Sequence, residues 1–279
     1  MENIPIRHIT AGQSASNLSE GFSIRDLRDL LAGKDMVQKL HRHDFFYMLA
    51  LKKGTGDHEI DFTSHEICDN SVFFMRPGQV HQLMLKAGST GFLMEFKNDF
   101  YSNQLLRKVS SLNHHPLGDT RFKKILSILI SIFQEYTGKQ ERYQEVIKAN
   151  LSILFIELVR QESKSPSTNV SPYTQERLDE FLKLLEIHIS GHKQVSKYAV
   201  MMNLSPYQLN AITKETLDKT CSEVIDEYII LESKRYLLAT SSQVNQIADH
   251  LGYEDVSYFI RFFKKHTGFS PEAFRYNFK

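Results

Sequence analysis

The strongest constraint on what this chain can fold into is a repeat near its carboxyl end. Aligning Ala199 with Ala248 sets Met202 against Leu251, Asn203 against Gly252 and Leu204 against Tyr253, an offset of 49 residues. After one inserted residue, Leu209 pairs with Phe259, Ile212 with Phe262, Lys214 with Lys264 and Thr220 with Ser270. A solenoid needs about three or more such units to close a core, so two copies predict a duplicated helical unit instead. Between them, Cys221 to Ala239 contains neither Gly nor Pro and reads as one long joining helix.

Each copy reads helix, tight turn, helix. In the second, residues 243–250 form a short helix, Leu251-Gly252-Tyr253 make the turn, and Asp255 caps the helix that follows. That helix puts Val256, Phe259 and Phe263 on one face and Ser257, Tyr258, Arg261, Lys264 and Lys265 on the other. In the first copy Asn203-Leu204 turns, Ser205 caps and Pro206 takes the first helical position, where its missing N–H costs nothing. Leu209 and Ile212 point in, while Tyr207, Gln208, Ala211 and Lys214 point out.

An apolar anchor opposite a row of donors is what a helix needs to sit in a DNA major groove. Arg261 suits a guanine edge and Gln208 an adenine edge, both bidentately, whereas Lys264 and Lys265 suit phosphates. Ala211, where the second copy has Arg261, offers only a small apolar contact. Charge supports this locally. From Thr174 onward there are 13 Lys and Arg against 14 Asp and Glu, but residues 256–279 carry five basic residues and one acid. A solvated polar face on an ordinary helical bundle is the competing reading, and duplication is what tells against it.

Upstream, residues 43–96 hold short runs rich in aromatic and branched side chains: 45–51, 71–75, 81–85 and 91–96, separated by Gly54-Thr55-Gly56, Asp69-Asn70, Pro77-Gly78 and Gly88-Ser89. These predict a sandwich or small barrel. Helical periodicity follows over 120–136 and 141–161. Three segments result: a barrel-plus-helices domain at 1–162, a Ser- and Pro-rich linker at 163–173, and an all-helical domain at 174–279. The fold class is α+β and multidomain. Met84, Met94 and Phe96 read as core, and His114-His115 as surface. Leu151, Leu154 and Leu158 are candidates for a dimer contact or for packing on the barrel.

Ile247-Ala248, Leu251-Gly252-Tyr253, Ser257-Tyr258-Phe259, Arg261 to Lys265, Gly268, Ser270-Pro271 and Arg275 resemble the second helix-turn-helix signature of the AraC/XylS family of bacterial transcription regulators. The first copy departs from that pattern at Ala211, where arginine is common, and at Asp218, where glycine is common. The resemblance implies a seven-helix module whose two recognition helices enter successive major grooves. It also implies frequent activation through RNA polymerase, and dimers that often bind direct repeats. His41-Arg42-His43, Gly54 and Pro77-Gly78-Gln79-Val80-His81 resemble the two motifs of the cupin barrel, a common sensor ahead of such a module.

Strand alternation gathers His41, His43 and Tyr47 on one face; with His81 and Glu95 they are the candidate effector-binding residues. For His43 and His81 three roles stand open: internal hydrogen bonding, contact with an organic ligand, or metal ligation. Metal-binding cupins place a glutamate where this chain has Tyr47 or Met48, so no metal or other cofactor is expected. No nucleophile elbow or phosphate loop is present, and no catalytic residue is expected. The expected protein is a non-enzymatic, cytoplasmic, effector-responsive regulator, an activator, with double-stranded DNA, RNA polymerase, a small molecule and a second copy as partners, and no membrane. The rivals are a metal-dependent cupin enzyme with a helical appendage and an orphan regulator whose barrel senses nothing. Cys68 and Cys221 are too few and too far apart for a disulfide framework.

Overall fold

A computed structural model of the chain describes residues 4–7, 21–102, 104–110, 112–162 and 171–278. Contacts divide it into two compact units, Pro5–Ser165 and Pro166–Lys279 together with Met1–Ile4. In the first unit the elements are β1 (Ile6–Arg7), β2 (Phe22–Asp26), α1 (Leu27–Leu31), β3 (Met36–His43), β4 (Phe46–Lys53), β5 (Gly56–Ile60), β6 (Thr63–Ile67), β7 (Ser71–Met75), β8 (Val80–Leu85), β9 (Thr90–Phe96), α2 (Gln104–Val109), β10 (His114–Pro116), α3 (Asp119–Gly138) and α4 (Tyr143–Glu162). The strands form two five-stranded sheets, ordered β1-β3-β8-β5-β6 and β10-β7-β4-β9-β2.

The second sheet explains why β4 is apolar from Phe46 to Leu51 and β7 from Val72 to Met75: both its faces are covered there. One face, carrying Phe46, Met48, Phe74, Met94 and Phe96, packs on α3 and α4 through Ile125, Leu129, Leu151, Phe155 and Leu158. The other, carrying Tyr47, Leu49, Phe73, Met75 and Leu93, meets Ile60, Leu83 and Leu85 from the first sheet. A one-residue register slip would exchange the two sets, so both cores fix the pairing.

One open alternative from sequence is decided here and two readings are corrected. Leu151, Leu154 and Leu158 are fully buried in their own unit and are not a dimer surface. Met84 alternates outward on β8 and is exposed. His114-His115 is not a surface loop: it forms β10, paired antiparallel with β7, and His115 is buried with its Nε2 3.0 Å from the Val109 carbonyl. A three-residue edge strand is too short to show a period.

The second unit contains α5 (Pro172–His188), α6 (Val195–Met201), α7 (Pro206–Leu217), α8 (Cys221–Ala239), α9 (Val244–His250), α10 (Val256–Thr267) and α11 (Pro271–Phe278). Ser171, Pro172 and Tyr173, read as the end of a linker, begin α5 instead: the Ser171 hydroxyl accepts from the Thr174 amide and Pro172 occupies the first turn. The rest of that linker lies outside the described residues. The joining helix α8 has the predicted bounds and opens with a capping box between Thr220 and Glu223.

Candidate nucleic-acid interface and histidine cluster

The two outward helices, α7 and α10, are built alike. Each follows a turn whose pivot has positive φ, +53° at Asn203 and +72° at Gly252, and each ends on a left-handed cap, Asp218 at +56° and Gly268 at +81°. Asp tolerates that region because its short polar side chain bonds locally, so the departure at Asp218 leaves the cap intact. Each start is sealed by a side chain, Ser205 Oγ accepting from the Gln208 amide at 3.2 Å and Asp255 Oδ1 from the Ser257 amide at 2.7 Å. Leu209 and Ile212 in α7, and Phe259 and Phe263 in α10, are buried anchors.

The predicted DNA-facing residues, Tyr207, Gln208, Ala211, Lys214, Ser257, Tyr258, Arg261, Lys264 and Lys265, are all exposed. Tyr207 is 83% exposed and Tyr258 56%, which leaves both aromatic side chains accessible at the surface. The Arg261 guanidinium lies over the Tyr258 ring at 6.0 Å and 3.9 Å from Asp255, held loosely and pointing out. Gln208 is more constrained than its sequence position suggests. Its Oε1 accepts from the Ser205 backbone N–H at 2.8 Å and from the Ser205 hydroxyl at 3.0 Å, completing a capping box. A bidentate adenine contact would have to displace both bonds.

The second turn is braced from behind. A Cβ on Gly252 would stand 1.6 Å from the Ser190 carbonyl oxygen, and Lys193 donates to the Gly252 carbonyl at 2.7 Å with its ammonium 4.7 Å from the Tyr253 ring centre. Arg275, counted above among the local positive charges, is spent internally: it donates to the Leu237 carbonyl at 3.0 Å and to the Ser242 carbonyl, tying α11 to the end of α8.

In the first unit, alternation on β3, β5 and β8 turns His41, His43, His58 and His81 toward the space between the sheets, and all four are buried. A register shift in β3 between Gln38 and His41 re-aims that strand as it reaches the cluster. His81 is the hub. Its Nε2 lies 2.8 Å from His43 Nε2 and 3.1 Å from His41 Nε2, and its Nδ1 lies 2.8 Å from His58 Nε2. Burial pushes His41 down to about 4 and His43 and His58 to about 3, and holds His81 well below the usual imidazole range. Neutral rings can each lend a lone pair.

Tyr47 stacks on His43 with ring centres 5.2 Å apart, and its hydroxyl is buried without a hydrogen-bond partner. Glu95, directly across from Tyr47 on β9, is buried and paired with Arg25 at 2.9 Å; burial raises its carboxyl and Arg25 opposes that. His41, His43, Tyr47 and His81 are thus brought together, with Glu95 on the same inner face as Tyr47. Sequence reasoning missed His58 and Arg25. The alternation of His58 with Ile60 was the available signal for His58, hidden because residues 56–60 are otherwise polar.

Residues 33–155 match the AraC-like ligand binding domain and residues 198–277 a helix-turn-helix domain. The HTH-type transcriptional activator RhaR of Mannheimia succiniciproducens is 24% identical over 250 residues, covering 86% of this chain and 87% of that one. The activator RhaS of Klebsiella pneumoniae is 24% identical over 248 residues, covering 84% and 86%. ToxT of Vibrio cholerae O395 aligns over 92% of this chain and 98% of its own at 14% identity and a TM-score of 0.43, too distant a likeness to add to the assignment. With a sensor-type domain matched ahead of a duplicated helix-turn-helix whose outward helices are capped and anchored alike, the chain belongs to the AraC family of transcription regulators.

Proposed function

We propose that this regulator is an activator that places α7 and α10 in successive major grooves, with Arg261 reading a base and Lys214, Lys264 and Lys265 holding phosphates. The observation that carries the reading is the exposure of nine residues on two helices whose turns, caps and anchors repeat. Tyr207, Ser257 and Tyr258 supply further polar and aromatic contacts, and Ala211 an apolar one. The sandwich between β1 and β10 receives an effector near His41, His43, Tyr47, His81 and Glu95, and no reaction is assigned to it. The protein works in the cytoplasm as a homodimer and recruits RNA polymerase, as the activator names of its relatives suggest.

Arg261→Ala is expected to cost about 1–3 kcal/mol at the cognate site and to relax preference at one base pair. Lys264→Ala should weaken cognate and random duplexes alike and lower the salt slope by about one unit. Titrations of both duplexes at several salt concentrations check this; equal loss on both for Arg261→Ala would refute its role as a base reader.

A further inference from the structure

We propose that His41, His43 and His81 bind one divalent transition-metal ion, that His58 holds His81 in the ligating tautomer, and that this ion is the effector of the regulator. The last clause rests on the sensing role assigned above to the sandwich; the first two stand on geometry alone.

The hydrogen-bond accounting leads to the site. His41 Nδ1 lies 2.6 Å from the Lys39 carbonyl oxygen, which only accepts, so the ring's single proton is on Nδ1 and its Nε2 carries a lone pair. That lone pair meets His81 Nε2 at 3.1 Å, and His43 Nε2 meets the same atom at 2.8 Å. Protons alone satisfy this badly. One N–H on His81 would have to serve two acceptors, or else a lone pair faces a lone pair, and burying unsatisfied polar atoms is costly. A cation at the centre accepts all three lone pairs at once.

Two of the three distances suit it. Metal–nitrogen bonds of about 2.0–2.1 Å at angles between about 90° and 109° set neighbouring ligand nitrogens about 2.8–3.4 Å apart. His81 Nε2 stands at such a distance from both His43 Nε2 and His41 Nε2, and the set of three buried donors spreads over 4.8 Å, so the His41 and His43 rings close on the ion as it binds. Two of the three rings have the bonds that orient ligating imidazoles: with the ion bound, His41 donates Nδ1–H to a backbone carbonyl and His81 donates Nδ1–H to His58 Nε2 at 2.8 Å, whereas His43 Nδ1 and His58 Nδ1 are buried without a partner. His58 therefore does for His81 what the Lys39 carbonyl does for His41. The missing glutamate, which argued against a metal at the level of sequence, selects the class of ion instead. Glu95 is engaged by Arg25, so the ligands are neutral nitrogens, which favour zinc, nickel, cobalt or copper over magnesium or calcium.

The test is titration of the chelator-treated, full-length chain with Co²⁺, followed by visible absorption and calorimetry. One equivalent is expected to bind, to raise the melting temperature, and to weaken by about a hundredfold or more in His43→Ala and His81→Ala. His58→Phe should retain the site and bind about ten- to hundredfold more weakly. A His188→Ala/His192→Ala control, which removes a histidine pair of the helical unit with ring centres 6.3 Å apart, should bind as wild type. No stoichiometric binding to the wild type would overturn the site, as would loss in the control with retention in His81→Ala. Wild-type affinity in His58→Phe would overturn the orienting role. Circular dichroism of each variant identifies any loss that comes from misfolding, and the wild-type melting shift with Co²⁺ reads the site without any substitution. For the effector clause, affinity for a selected duplex should change at least tenfold with Co²⁺ in wild type and not in His81→Ala; metal binding with unchanged DNA affinity overturns that clause. If no form binds DNA, it is the regulator reading that fails, while the cobalt titration still decides the site.

Discussion

Two positions with the same backbone requirement show how differently single residues are constrained. Gly252 and Asp218 both have positive φ, but a Cβ at Gly252 would collide with the Ser190 backbone carbonyl, which cannot swing away as a side-chain end can. Gly252→Ala is therefore expected to destabilise the helical unit by more than ~2 kcal/mol in urea denaturation. Asp218 pays only local strain, so Asp218→Gly should be neutral or stabilising by up to about 1 kcal/mol. The glycine in Leu251-Gly252-Tyr253 was readable as a turn; that it is also the floor under Ser190 was not, because the loop pressing on it lies 59 residues away, as the Lys193 bond to Gly252 measures. Gln208 teaches the same lesson in reverse. Its position promised a base reader, and its side chain is committed to the Ser205 cap.

Among the elements, α7 and α10 are defined by caps as much as by their apolar faces. Ser205→Ala removes the acceptor for the Gln208 amide and should cost about 1 kcal/mol of stability, with a matching fall in the denaturation midpoint. It also frees Gln208 Oε1 from one of its two bonds. Gln208→Glu separates the two roles, since a carboxylate keeps the capping box but cannot donate to adenine. Unchanged stability with weakened cognate binding is the outcome that keeps Gln208 as a reader, and unchanged binding would confine it to the cap. Helices were the easiest elements to read because a 3.6 period, a capping residue and a Gly stop agree over ten or more residues, as in α10, which opens on Asp255 and closes on Gly268. Short strands gave less. β5 is mostly polar outside its two inward positions, and β10 is three residues long, so neither shows a period.

For the molecule as a whole, the histidine cluster ties the folding of one unit to pH. In the metal-free chain the unfolded state protonates its imidazoles near 6.5, whereas His41 titrates near 4 and His43 and His58 near 3 when folded. Below about pH 6.5 the unfolded state binds more protons, so stability falls with falling pH, by about 1.4 kcal/mol per pH unit for each such histidine. Calorimetry in chelator should show a melting temperature level above pH 7 and declining below pH 6; no change between pH 7 and 5 would contradict buried neutral rings. Local pattern by itself determined the division into a strand-rich half and a helical half, the duplicated helix-turn-helix, its caps, and which residues of its outward helices are exposed, because helix periodicity and capping depend on neighbours a few residues apart. Only the tertiary structure decided that His58 stands behind His81, that Leu151, Leu154 and Leu158 serve their own sheet rather than a partner, and that Arg275 is an internal tie. Each of these depends on which strands and helices are brought side by side, and a contact between residues tens of positions apart leaves no period in the chain to read.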